Sequence, residues 1–303
     1  EVGGAKRWIK FFGLSIAPVE FFKIGFVYFL AWSFSRKLGH HDNMGVIQEF
    51  KRFLPYMAIF LIAVFLIAFL QNDLGQVVVL ALTLSVMLFF AGSSFRFFLT
   101  LIGGALALFI FVIFSSQHRI DRILSWWATA QGTLLAFMPE SVASKLRIEN
   151  GEEAYQIGHS LNAIHNGGIF GTGLGAGTFK LGFLSEVHTD FVLAGIAEEF
   201  GFIGVIGVVA LFVMILHRIF RIANRSNDPI DYLFSLGVGL LITFAFLINA
   251  YGISGLTPIK GISVPFLSYG GSAMLASSVG VGLVLMISKK INYMMDPKRE
   301  DRK

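Results

Sequence analysis

Cysteine is absent from the 303 residues, which excludes a disulfide framework, an iron–sulfur cluster and a thiolate metal site. Charge is scarce. Asp, Glu, Lys and Arg make up 14% of the chain, against about a quarter in a typical soluble domain. With 55% apolar and 15% aromatic residues, such a surface cannot be solvated by water, so the solvent is lipid. The net charge of +5 gathers in short connections, which suits a membrane surface and gives no nucleic-acid signature. An initiating Met and a signal-peptide pattern are also missing at Glu1, so an upstream portion is expected.

What the chain has is long apolar runs. A membrane span needs about 20 predominantly apolar residues. Seven segments qualify, near 16–36, 54–71, 74–93, 96–117, 190–216, 231–253 and 270–288, and they predict an all-α polytopic transmembrane helix bundle. The chain reads as a single membrane domain, 1–303, with a large extracytoplasmic loop at 118–189. Lys and Arg fix the orientation, because they concentrate on the cytoplasmic side. Arg36, Lys37, Lys51, Arg52, Arg96, Arg218, Arg221, Arg225, Lys289, Lys290 and the basic tail share one side if seven spans alternate. Glu1 then lies outside, and a complete protein starting in the cytoplasm needs an odd number of further spans.

The 118–189 loop is too long for a passive connection. Trp126-Trp127 and the amphipathic stretch Ser160–Ile169 predict short helices on the membrane face. Its glycine run, from Gly167 to Gly177, follows no strand, so a close-packed turn is expected rather than a nucleotide loop.

Ionisable groups in or beside hydrocarbon are costly and are candidates for function. Glu20 and Lys23 sit at i, i+3 in the first span, where they either pair to fix helix packing or take part in chemistry. Glu198 and Glu199 lie in the fifth span and either bridge helices or act. Asp73 is expected to cap the third span. Lys260 lies in the last outer loop. Glu186, His188 and Asp190 place three titratable groups within five residues at the mouth of a span, a plausible catalytic edge. The histidines His40, His41, His159 and His165 have no metal-ligand spacing with carboxylates, so no metal site is expected. The pairs Gly237/Gly239 and Gly280/Gly282 predict close helix contacts.

Several motifs together resemble one family. Gly4-Ala5-Lys6-Arg7-Trp8-Ile9 is followed by Pro18, Glu20 and Lys23. Gln71-Asn72-Asp73-Leu74-Gly75 is similar to a Gln-Pro-Asp-Leu-Gly hairpin. Tyr155-Gln156, Gly167-Gly168, Gly171, Gly173, Gly175 and Lys180 match a large loop, and Glu186-Val187-His188-Thr189-Asp190-Phe191 a block at its end. Pro258, Lys260, Gly261 and Pro265 through Ser272 match a signature before the last span. These resemble the SEDS family (shape, elongation, division and sporulation proteins), in order and across nearly the whole chain. Asn72 and Ser185 stand where the family has proline, and neither removes a titratable group.

The resemblance implies ten spans, hence three before Glu1. It implies a peptidoglycan glycosyltransferase that polymerises lipid II at the outer face of the bacterial cytoplasmic membrane, with a class B penicillin-binding protein and other division proteins as partners. The lysine in Pro258-x-Lys260-Gly261 is similar to division members, implying duty at the septum. Asp190 is the implied catalytic residue. Lys23, Arg7, Lys180, Glu186, His188, Lys260, Ser268 and Tyr269 are the implied substrate-binding set. Glu20, Gln71, Asp73, Gln156, Glu198 and Glu199 are the supporting set. No cofactor is required, although a divalent cation accompanying the diphosphate is compatible. Two other readings stand beside this one: a flippase for lipid-linked precursors, and a non-catalytic scaffold of the division machinery.

Overall fold

The computed structural model describes residues 8–11, 14–37, 46–71, 73–136, 138–148, 155–178, 184, 187–259 and 261–294. Among the described residues a short antiparallel ribbon, β1 (Ile9–Phe11) and β2 (Leu14–Ile16), precedes ten helices. The ribbon was not expected, but the fold is all-α in every other described element. The helices are α1 (Pro18–Lys37), α2 (Val46–Phe65), α3 (Leu74–Phe90), α4 (Phe95–Phe114), α5 (Gln117–Leu135), α6 (Glu140–Leu146), α7 (Tyr155–Gly167), α8 (Val192–Arg225), α9 (Pro229–Ile253) and α10 (Gly271–Met294). A π-helical turn, Leu66–Leu70, ends α2.

All seven expected spans are helices. Five stretches are long and apolar enough to cross a membrane: Ile47–Phe69, Phe95–Phe114, Val192–Arg225, Pro229–Ile253 and Gly271–Tyr293. The other two are α3, which is apolar but has 17 residues, and α1, which carries Glu20 and Lys23. The helix ends correct one expectation. Arg36, Lys37, Lys51, Arg52, Arg218, Arg221 and Arg225 lie on helical turns, not in loops. Apolar runs measure the part of a helix that needs lipid, and the helix continues past it with basic turns.

The chain divides into two compact units, with α4, α8 and α9 each contributing to both. The first comprises Glu1–Gly103, Phe212–Phe244 and Gly270–Lys303. Its core is aromatic. Phe34, Phe53 and Phe97 are fully buried, with Phe53 centred 6.1 Å from Phe34 and 5.5 Å from Phe97. On α1, Phe26, Val27, Leu30, Ala31 and Phe34 form one helical stripe facing inward. Glycine permits close helix contacts here. A Cβ on Gly237 would lie 2.5 Å from Val27 and 2.7 Å from Met87 Sδ, and one on Gly239 2.6 Å from Phe220. Gly280 is close to Ile24, at 3.0 Å, whereas Gly282 meets nothing within 4 Å among the described residues.

The second unit comprises Gly104–Leu211 and Ala245–Tyr269. The expected long loop is largely helical, as α5, α6 and α7. Side chains tie these helices to backbone at a distance. Trp126 Nε1 donates to Gly255 O (2.7 Å), Trp127 Nε1 to Leu146 O (2.8 Å), and Ser160 Oγ to Ile253 O (2.9 Å). Gln131 pairs with Ile148 in both directions, its amide taking the place of a strand partner. Each bond satisfies a main-chain group that a helix end or an irregular segment would otherwise leave unpaired.

Candidate functional site

The second unit contains the stretch expected to carry chemistry. Leu184, Val187 and Phe191 are buried, and they pin the chain on either side of a turn that leads into α8. Between them His188 is exposed, while Thr189 and Asp190 are half-buried. Three successive carbonyls of this turn are held by three separate donors. Tyr269 N donates to His188 O (2.7 Å), Ser268 Oγ to Thr189 O (2.6 Å), and Asn249 Nδ2 to Asp190 O (2.7 Å). Asn249 Nδ2 also donates to Ile262 O (2.8 Å), and Ser268 Oγ accepts from Val264 N (2.7 Å). The turn before α8 is thereby joined to α9 and to the 261–269 segment.

That segment takes its shape from Phe266, a non-glycine residue at φ 64°. Such a conformation costs on the order of 1–3 kcal/mol and needs its surroundings to enforce it. Here it closes a turn in which Leu267 N and Ser268 N both donate to Val264 O, which aims Ser268 and Tyr269 at residues 188–190. Ser268 is 5% exposed with its hydroxyl committed to two backbone groups, whereas the Tyr269 side chain is 85% exposed.

The glycine run and the two glutamates of α8 form one assembly. Gly201 has φ 67° and ψ −166°, so α8 breaks there. A break leaves main-chain groups without intrahelical partners. The glycine-rich turn satisfies them: Thr172 N donates to Glu198 O (2.9 Å) and Gly173 N to Glu199 O (3.0 Å). In return Phe202 N donates to Gly168 O (2.9 Å) and Ile203 N to Ile169 O (3.2 Å). The approach is close enough to require glycine. A Cβ on Gly171 would sit 2.1 Å from Glu199 O, and one on Gly201 2.4 Å from Gly171 N. Fully buried Glu198 accepts from Thr178 N (2.6 Å) and Asn166 Nδ2 (3.2 Å), and Glu199 accepts from Gly175 N (3.1 Å). Both carboxylates thus bridge α8 to the loop.

The first unit holds a separate polar cluster. Lys23 Nζ lies 2.8 Å from Glu20 Oε2 and donates to Gln76 Oε1 (2.8 Å), while Gln76 Nε2 donates to Glu20 Oε1 (2.9 Å). The three side chains close a ring, and all three residues are buried. Asp73 caps α3, accepting from Gln76 N (3.2 Å). Gln71 ends the π-helical turn through its backbone N–H, and Gln156 is an exposed residue at the start of α7. Arg7, Lys180, Glu186 and Lys260 lie outside the described residues.

Sequence reading missed Asn249 and Gln76. Each is a lone neutral amide in an apolar run, a signal that a search confined to ionisable groups passes over.

The family model described as "Cell cycle protein", covering FtsW, RodA and SpoVE, matches residues 1–293. Among curated proteins, the chain is 50% identical over 289 residues to the "Probable peptidoglycan glycosyltransferase FtsW" of Helicobacter pylori strain 26695, covering 95% of this chain and 74% of that protein. It is 34% identical over 304 residues to the protein of the same name from Bacillus subtilis, covering 99% and 71%. Among solved structures it resembles a chain of a complex described as "Structural coordination of polymerization and crosslinking by a peptidoglycan synthase complex", at 26% identity and TM-score 0.69 over 96% of this chain and 75% of that one. It also resembles the rod shape determining protein RodA of Thermus thermophilus, at 26% identity and TM-score 0.60 over 95% and 71%. Motif order, helical architecture and these matches agree, and the chain belongs to the SEDS family of multi-pass membrane proteins.

Proposed function

We propose that this chain is a peptidoglycan glycosyltransferase that polymerises lipid II at the outer face of the bacterial cytoplasmic membrane, for wall synthesis at the division septum. The carrying observation is the turn at 188–190, whose three carbonyls are each held from outside so that Asp190 stands at a fixed position just before α8. The names of the curated relatives support the reaction class.

The chemistry follows from the substrates. Both sugars hang from a polyprenyl diphosphate, so the reaction must occur at the membrane surface. The acceptor's 4-hydroxyl attacks the anomeric carbon of the donor, the bond from that carbon to the diphosphate oxygen breaks, and the configuration inverts. Asp190 takes the hydroxyl proton as general base. The departing diphosphate carries away the bonding electrons and needs positive charge near it. Lys180 and Lys260 are the basic residues for that task, and Glu186 and His188 orient Asp190 or bind sugar hydroxyls. A class B penicillin-binding protein is the partner that crosslinks the product. The resemblance to a chain of a peptidoglycan synthase complex supports this pairing.

The test uses the full-length protein with that partner and labelled lipid II. Asp190→Ala abolishes glycan-strand formation while expression and partner binding persist. Full polymerisation by the variant would reject the assignment. A flippase would instead keep translocating lipid II after Asp190→Ala and fail after Lys23→Ala in protein shown to remain folded.

A further inference from the structure

We propose that Asn249, together with Ser268, is a positioning residue for the reaction: the two side chains clamp the main chain of Thr189 and Asp190 and thereby set where the Asp190 carboxylate stands. The inference rests on Asp190 being the general base.

Three observations carry it. First, the anchoring is consecutive. Carbonyls 188, 189 and 190 each accept one bond, at 2.7, 2.6 and 2.7 Å, from residues 269, 268 and 249. A turn held at one carbonyl can still pivot, whereas one held at three in a row cannot rotate its intervening peptides without breaking a bond. Second, Asn249 uses both amide protons. One goes to Asp190 O and the other to Ile262 O (2.8 Å), so a single planar group fixes the turn and the 261–269 segment against α9. Third, packing alone does not explain an asparagine there. Asn249 is 2% exposed, and its Oδ1 is buried without a hydrogen-bond partner among the described residues. A buried unsatisfied acceptor is unfavourable, so what Asn249 contributes at this position is its two donors.

The functional consequence is geometric. A general base must stand within hydrogen-bond reach of the proton it removes, and a displacement of about 1 Å can cost on the order of 100-fold in rate. Loosening the Asp190 carbonyl therefore lowers turnover more than it lowers binding. A substrate contact would behave oppositely, raising KM. That contrast also separates the two roles open to Ser268, substrate ligand and clamp.

The experiment measures kcat, KM, unfolding temperature and partner binding for the full-length protein in complex with its transpeptidase, using labelled lipid II. The variants are Asn249→Ala, Asn249→Asp, Ser268→Ala, Asp190→Asn and Ser160→Ala. Asn249→Asp keeps the shape and replaces the donors. Ser160→Ala is the control. It removes an equally buried bond to the backbone of the same helix, Ser160 Oγ to Ile253 O, which involves none of residues 188–190. The expected result is a fall in kcat of about 100-fold for both Asn249 variants and about 10-fold for Ser268→Ala, with KM within about twofold of wild type. Ser160→Ala stays within about twofold in both constants. Turnover by either folded Asn249 variant equal to that of Ser160→Ala overturns the proposal, as does a rise in KM with kcat unchanged. Should Asn249→Ala fail to fold, Ser268→Ala decides by the same kcat-against-KM split. Wild-type activity in Asp190→Asn would remove the base assignment itself. An inactive Asp190→Asn beside fully active Asn249 and Ser268 variants removes the clamp alone.

Discussion

The two polar clusters solve the same problem in opposite ways. In the first unit, Glu20, Lys23 and Gln76 satisfy one another side chain to side chain, closing a ring inside an apolar helix layer. In the second, the bonds that Asn249, Ser268 and Tyr269 make to residues 188–190 go to main-chain carbonyls. A ring of side chains neutralises charge where water is absent, and so protects the fold. A clamp on the backbone holds a residue in place without engaging its side chain. Burial agrees with this division, because the ring is almost wholly buried while Asp190 is half-buried and His188 exposed.

Mutations that unbalance the ring should therefore act on stability first. Lys23→Ala leaves the buried Glu20 carboxylate without its cation and is expected to cost about 3–5 kcal/mol, read as a large drop in unfolding temperature in detergent. The double variant Glu20→Leu/Lys23→Met removes both charges and should recover most of that loss. If the single variant unfolds at the wild-type temperature, the ring is not structural and the contrast fails.

The break in α8 gives the next largest effect. Gly201→Ala places a Cβ 2.4 Å from Gly171 N and Ile169 O at a positive φ, and is expected to cost roughly 2–4 kcal/mol. Its signature is faster proteolysis within 167–178, since the turn loses its seat in the helix break. Trp126→Phe should do least. It removes one bond to Gly255 O and the pyrrole part of the indole while keeping an aromatic side chain, for about 1–2 kcal/mol in thermal unfolding.

How much of this was legible in sequence follows from the range of each cause. The seven long helices were readable because lipid demands an unbroken apolar run, a local property. Their charged ends were not, because Arg218, Arg221 and Arg225 follow helical spacing outside that run. Asp190 was found as one of three titratable groups crowded at a span mouth, while Asn249 lies 59 residues away and reaches it only through the fold. The helix break at Gly201 was equally hidden. Neither Gly201 nor Gly171 signals alone, since each is required by the backbone of the other. The glycine run was recognisable as a tight turn, but its role as the plug of that break belongs to tertiary structure.

The most direct test of the account is glycan-strand formation from lipid II by full-length Asp190→Asn in complex with its transpeptidase. Asparagine keeps the size of the side chain and the main-chain carbonyl that Asn249 holds, and removes only the basic carboxylate. The account predicts a loss of at least about 100-fold in kcat with unfolding temperature and partner binding unchanged. Polymerisation at the wild-type rate by that variant would contradict it.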